Sequence, residues 1–136
     1  MKDKIFIDSN VIIYSYGKEE KKKNISISLL KSVPYISVQV LNEISNILLK
    51  KFQLSIEDIK ASIDFLVKIC RIKSVLPQTI KRALDLADRY KYSYYDSLII
   101  SSALESKCNI IFSEDLSDNQ LIDKKLRIVN PFKNIR

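Results

Sequence analysis

Three apolar residues in succession, Ile5, Phe6 and Ile7, are ended by an aspartate. A run this short, with no polar alternation, predicts a strand buried on both faces, as in a parallel sheet. Helix-compatible sequence follows from about Asn10. Residues 19–32, EEKKKNISISLLKS, pass from a charge run into an apolar end, and Pro34 breaks the pattern before a short extended YIS, the predicted second strand. Helical spacing governs the next two segments. Val40, Leu41, Ile44, Ile47 and Leu48 mark a helix over 38–52, and Ile56, Ile59, Ile63, Leu66 and Val67 mark another over 55–71. Ser55, with Asp58 three residues on, predicts the N-cap of the second. Residues 72–76 read as a third strand, and Pro77 opens a helix running to about Tyr90. A compact amphipathic helix over 96–106, a buried strand over 109–113 and a last strand at LRIVNPF, stopped by Pro131, complete the pattern. Strands alternating with helices predict an α/β fold whose parallel sheet is covered on both faces.

Length adds that 1–136 makes one domain, enough for a single core but not two, and there is no internal repeat or linker. No window approaches the roughly 18 uninterrupted apolar residues of a membrane span, so a soluble chain with no membrane partner is expected. The N-terminus, MKDKIFIDSN, is charged at once, which argues against a secretory leader and predicts a cytoplasmic location. Cys70 and Cys108 lie far apart without a CxxC, reading as core thiols rather than a zinc site or disulfide.

Charge and missing residue types narrow the chemistry. With 23 Lys and Arg against 16 Asp and Glu, the net charge of +7 attracts polyanions without specifying which. There is no histidine, which removes the usual general base and the triads built on it. One glycine, Gly17, excludes glycine-rich phosphate loops. Hydrolysis by this chain therefore needs carboxylates and a metal.

In open parallel sheets the functional crevice lies beyond the carboxyl ends of the strands. Asp8 follows IFI directly, and Asp115 follows IIFSE. Either alone reads equally well as a cap or turn residue. Asp96 shares a helical stripe with Ile99, Ile100 and Ala103, and no capping box explains it, because Ile99 occupies the third position on. Glu43 borders its helix's apolar face beside Ile47, and by itself reads as surface. Two acids after strands and two on helices could meet at one sheet edge. Packing them together is costly unless a divalent cation supplies opposite charge, and carboxylate oxygens suit Mg²⁺ or Mn²⁺. Such a site activates a water and stabilises charge on a phosphodiester oxygen without histidine.

Taken in order, IFIDSN, VLNEISNIL, YYDSLIISSAL, and FSEDL followed by IVNPF resemble the acidic motifs of PIN-domain ribonucleases. The likeness spans nearly the whole chain and is greatest to the short VapC toxins of type II toxin–antitoxin systems. It implies a three-layer α/β/α sandwich with a central, mainly parallel sheet, Mg²⁺- or Mn²⁺-dependent endonucleolytic cleavage of RNA, a homodimer and a cognate antitoxin protein. Carried over by position, Asp8, Glu43, Asp96 and Asp115 are the catalytic, metal-binding acids, with Asn10 and Ser113 supporting them. Two departures stand out. The family's glycine after the fourth acid is absent from EDLSDNQLID, leaving Glu114 or Asp118 as substitutes for Asp115, and Ser97 follows Asp96 where a small apolar residue is usual.

RYKYSYYD, residues 89–96, offers Arg89 and Lys91 for phosphates and Tyr94 for stacking on an unpaired base. The competing reading is a connection whose tyrosines pack on the core. Lys50 and Lys51, Lys81 and Arg82, and Lys124, Lys125 and Arg127 read as solvated faces, while the apolar helices between 38 and 70 offer surface to a partner or second copy. The alternative function is a non-catalytic PIN-like module binding nucleic acid or protein, whose RNA binding would weaken with salt and need no divalent metal.

Overall fold

Each predicted apolar run becomes a strand, and the elements alternate as expected. A computed structural model describes residues 2–134; Met1, Ile135 and Arg136, at the ends of the expected domain, lie outside the described residues. In chain order the elements are β1 (Ile5–Ile7), α1 (Ser9–Ile12), a 3-10 turn (Ile13–Tyr16), α2 (Glu20–Leu30), β2 (Tyr35–Ser37), α3 (Val38–Lys50) and α4 (Ile56–Ile69). There follow β3 (Arg71–Lys73), α5 (Pro77–Tyr90), α6 (Tyr94–Glu105), β4 (Ile110–Phe112), β5 (Leu121–Ile122) and β6 (Leu126–Val129). The strands form one sheet in the order β3-β2-β1-β4-β6-β5, parallel except for β5 against β6. Helices flank it in a three-layer α/β/α sandwich.

Local chemistry sets the helix boundaries. Ser37, Ser55 and Ser93 each accept a hydrogen bond from a backbone N–H three residues on, at Val40, Asp58 and Asp96, and so cap α3, α4 and α6. Pro77 starts α5, and Thr79 Oγ1 accepts from the Leu76 N–H ahead of it (3.1 Å). Val40, Ile44 and Leu48, on one stripe of α3, are fully buried with Phe6, Ile7, Ile36 and Ile111 in the core under the sheet. Both cysteines are free and buried, and burial pushes their thiols up, to about 11 for Cys70 and about 12 for Cys108, so they are protonated core residues.

Several expectations need correction. The third strand is residues 71–73 rather than 72–76, because α4 stops at Ile69 and residues 74–76 lead into the proline-started helix. The helix expected from Asn10 is a single α-turn and a 3-10 turn ended by Gly17. α6 starts at Tyr94, two residues early, because Ser93 supplies its cap. It is also not amphipathic: Ser97 to Leu104 are all buried. On α4 the apolar stripe is only half covered, leaving Val67 and Phe65 exposed. The two-residue β5 is too short to carry a period.

Replacing fully buried Ile111 of β4 by alanine should cost about 2–5 kcal/mol of stability, whereas Phe65→Ala on the exposed side of α4 should stay within about 0.5 kcal/mol. Urea denaturation of the two variants checks the assignment of inside and outside.

Candidate active site

Register brings the first two site residues together. Ile7 pairs with Phe112 across β1 and β4, and the ladder continues one step through the Asp8 N–H to Phe112 C=O bond (3.0 Å). Asp8 and Ser113 therefore emerge side by side at the carboxyl ends of two central strands. Asp8 is 4% exposed and Ser113 fully buried.

The Asp8 carboxylate serves two purposes. Oδ1 caps α1 by accepting from the Ser9 N–H (2.7 Å), while Oδ2 accepts from Ser113 Oγ (2.9 Å) and Asn10 Nδ2 (3.3 Å). The cap reading of this residue is borne out, and the oxygen not used by the cap faces Ser113 and Asn10. Asn10 also donates to Ser113 Oγ (3.2 Å) and accepts from the Glu114 N–H (3.0 Å), so one amide ties three site residues to the loop after β4.

Glu43 is drawn inward, against the surface reading. α3 begins directly after β2, which neighbours β1, and this places Glu43 beside Ser9. Its Oε1 accepts from Ser9 Oγ (2.6 Å), and its Oε2 from Gln39 Nε2 (3.1 Å). The Ser9 hydroxyl has one proton and stands 3.4 Å from Asp8, so it is committed to Glu43, and Ser9 links the two acids through this hydroxyl and its N–H to Asp8. Asp96, half-exposed in the first turn of α6, is near enough to act electrostatically on Asp8. Ser97, beside it, is fully buried with no hydrogen-bond partner for its hydroxyl.

Burial pushes the Asp8 carboxyl up to about 7, against the Ser113 and Ser9 bonds and with repulsion from Glu43 and Asp96. Among the described residues the ion pairs lie elsewhere, and none neutralises this edge. Hard oxygen donors with uncompensated charge are the donor set a small divalent cation takes, so the residues present fit one. They are not already gathered as a cage: among the described residues no group of three acidic or cysteine side chains is arranged to hold a metal.

The three acids after β4 have different surroundings. Glu114 accepts from Tyr14 Oη (2.6 Å) and from Lys22 Nζ (2.8 Å), and Lys22 also lies over the rings of Tyr14 and Phe132. Desolvation opposes ionisation of Glu114, but those two bonds hold its carboxyl below the ordinary range. Asp118 is held low by the Asn130 N–H (2.7 Å) and Lys133 Nζ (3.0 Å). Asp115 is exposed and takes part in none of the ion pairs among the described residues. It lies two residues after Ser113, in the loop after β4.

The 89–96 segment divides likewise. Arg89 pairs with Asp123 (2.9 Å), and Tyr90 and Tyr92 bond to Asp123 and to Gln120 and Ser117, so these three anchor the loops around β5. Lys91, exposed and left-handed at the end of α5, pairs loosely with Asp88 (3.8 Å). Tyr94 packs edge-on against exposed Tyr95, both in the first turn of α6 with Asp96. Sequence reasoning missed Ser9, Gln39, Tyr14 and Lys22. Only Ser9 had a signal, lying between two singled-out residues; Lys22 sits in a charge run where nothing local distinguishes it.

The PIN domain family model matches residues 5–121. No curated protein matches the sequence. Among solved structures, a toxin–antitoxin complex from Klebsiella pneumoniae superposes with a TM-score of 0.69 at 17% identity, covering 93% of this chain and 97% of that one. VapC20 of Mycobacterium tuberculosis, described as a Sarcin-Ricin loop cleaving toxin, gives 0.65 at 15% identity, covering 82% and 89%. DNA-bound VapBC from Salmonella typhimurium gives 0.63 at 19% identity, covering 93% and 97%.

Asp8 titrates near 7 when folded and near ~3.9 when unfolded, so the folded state binds the extra proton between those values and its stability falls as pH rises through them. The penalty is complete above pH 7 and amounts to about 4 kcal/mol. In EDTA, Asp8→Asn should therefore be more stable than the parent at pH 8, with the gap closing toward pH 4. Thermal melts across that range test it, and a gap independent of pH would refute the buried, uncompensated carboxylate.

Proposed function

Since the chain belongs to the PIN domain family, we propose that it is a divalent-metal-dependent endoribonuclease and the toxin of a toxin–antitoxin pair. The observation that carries this reading is the buried Asp8 carboxylate at the end of a central strand, flanked by Glu43 and Asp96 and paired with no lysine or arginine among the described residues. PIN domains are generally nucleases. RNA is the substrate class in this reading because the chain carries net positive charge and a structural neighbour is described as a Sarcin-Ricin loop cleaving toxin.

Asp8, Glu43 and Asp96, with Asp115 from the loop after β4, would hold Mg²⁺ or Mn²⁺. When bound, the ion offsets charge on the phosphodiester and supplies a water of lowered pKa. The chain's own groups position the acids. Ser113 and Asn10 orient Asp8, and Ser9 and Gln39 fix both oxygens of Glu43. Asp115 is the fourth acid in this reading because Glu114 and Asp118 are already neutralised by lysines. Tyr94 and Lys91 flank the approach to Asp96 and suit an unpaired base and a phosphate.

An antitoxin protein is the proposed partner, since several structural neighbours are toxin–antitoxin assemblies. The apolar groove of about 810 Å³ between α2 and α4, with exposed Phe65 and Val33 at its walls, suits the apolar face of its helix. A homodimer and a single domain over the whole chain complete the proposal. Among the described residues no helix is long and apolar enough to cross a membrane, in keeping with a cytoplasmic site of action. A second reading, a non-catalytic PIN-like binding module, is favoured by one observation: the acids do not stand ready as a metal cage.

Cleavage of a structured RNA pool with Mg²⁺, Mn²⁺ or EDTA decides between them. Metal-dependent cuts should vanish in Asp8→Asn, Asp96→Asn and Asp115→Asn and survive in Asp118→Asn, while Ser113→Ala should lower the rate about 10–100-fold. Equal cutting by the parent and Asp96→Asn would sink the enzyme reading. RNA binding without cutting, unaffected by metal, would establish the binding module.

A further inference from the structure

Four basic residues that are scattered in sequence converge on one cleft. Lys73 closes β3, Arg82 lies in the second turn of α5, Lys107 is in the turn between α6 and β4, and Lys125 is in the turn between β5 and β6. Together they line a cavity of about 720 Å³. Sequence reading treated Arg82 and Lys125 as parts of two separate solvated faces; the fold makes them neighbours.

The charge in this cleft is not locally cancelled. Its one acid is Glu105, whose Oε1 already accepts from Thr79 Oγ1 (2.6 Å) and pairs with Lys73 (3.3 Å). Arg82, Lys107 and Lys125 take part in none of the ion pairs among the described residues. Arg82 does act on Asp123 at longer range, but that carboxylate is held by Arg89 and Tyr90. Four cations against one acid leave the lining at +3. Gln78, in the first turn of α5, adds the partial positive charge of a helix start.

Position separates the cleft from the acidic edge. Asp8 and Ser113 follow β1 and β4, whereas Asn109 and Lys125, on the cleft wall, precede β4 and β6; Lys73, although it closes β3, extends its ammonium to Glu105 at the end of α6, the helix that leads into β4. The intervening strand β4 spans about 10 Å at the usual rise per residue. A phosphate in the cleft is therefore not the one beside Asp8, and belongs to another part of a longer chain.

We propose that this cleft binds the phosphodiester backbone of a polynucleotide, as a second grip on a substrate whose scissile bond lies at the opposite end of the strands. A guanidinium fork with flexible ammonium groups suits phosphate oxygens, and three uncancelled charges match a few successive phosphates. The inference rests on the reading of the chain as an RNA-cutting enzyme, and makes substrates long enough to reach both ends of the sheet bind more tightly than short ones.

The test compares the full chain with an Arg82→Ser/Lys107→Ser/Lys125→Ser variant and with Lys50→Ser/Lys51→Ser/Lys60→Ser, which removes the same charge elsewhere. Binding of a labelled hairpin RNA of about 30 nucleotides is followed by anisotropy in EDTA across a salt series. The slope of log K against log salt should fall by about 2 in the cleft variant and much less in the control. Cleavage of a short RNA of about 6 nucleotides, read in parallel, should be unchanged in both. If the triple variant melts early, the single exposed changes Lys107→Ser and Lys125→Ser replace it, each lowering the slope by about 0.7.

Equal slopes for cleft and control variants would overturn the second grip while leaving cleavage intact, so the two readings fail separately. RNA affinity lost specifically in the cleft variant would uphold it even if no RNA were cut. Amide shifts at Lys107 and Asn109 saturated by inorganic phosphate, with no change in RNA affinity, would assign the cleft to a small ion and overturn the polynucleotide.

Discussion

The carboxylate of Asp8, taken out of water at the end of a central strand and paired with no lysine or arginine among the described residues, sets the terms for what surrounds it. An ionised group in such a place needs several strong donors, and each donor must itself be held. Here they are the Ser9 N–H, Ser113 and Asn10. Asn10 is held by the Glu114 N–H, Glu114 by Lys22 and Tyr14, and Lys22 by its place over the Tyr14 and Phe132 rings. The packing of α2 and of the segment after β6 thus has a role beyond covering apolar surface. Both complete a chain of contacts whose far end is one carboxylate.

That chain also sorts the acids of the loop after β4. Glu114, Asp115 and Asp118 lie within five residues and are chemically alike. A lysine from α2 takes the first and a lysine from the C-terminal turn takes the last, each bond also fastening the loop to another element. Asp115 is left exposed, outside the ion pairs among the described residues. The proposed fourth acid is thus the one of the three that the fold has not already paired.

What was legible in the sequence follows the range of the forces involved. Ile5 to Ile7, the α3 stripe and the proline start of α5 are set by period and local backbone chemistry, so they read correctly to within a residue or two. Asp8 and Asp96 were readable because an acid against an apolar run is anomalous wherever it occurs. Glu43 was not, since at the border of a helix its direction depends on Ser9, 34 residues away. α6 misled for a related reason: its serines read as a polar face, yet Ser101 and Ser102 bond to backbone carbonyls and are buried with the apolar residues. β5 exists only because Ile122 and Leu126 meet across a turn. Arg89 looked like a nucleic-acid contact, but its partner Asp123 arrives from a segment no local pattern connects with it.

The same long-range placement gives the net charge of +7 a direction that composition cannot. At the carboxyl ends of the strands, Asp8, Glu43 and Asp96 concentrate negative charge, which repels a polyanion unless something offsets it. Lys107 and Lys125, in the turns before β4 and β6, meet Arg82 of α5 and Lys73 from the close of β3 around a single engaged acid. A polynucleotide approaching this surface is steered first to the basic end and meets the acidic end from there. A lysine in direct contact with the acidic edge is taken up by a carboxylate there, so most of the basic groups that could hold phosphate stand away from it. Glu114 shows the outcome when a lysine does come close: the acid is neutralised and becomes part of the scaffold. Keeping the two functions at opposite ends of three-residue strands preserves both, and requires only that the ligand be long enough to touch each.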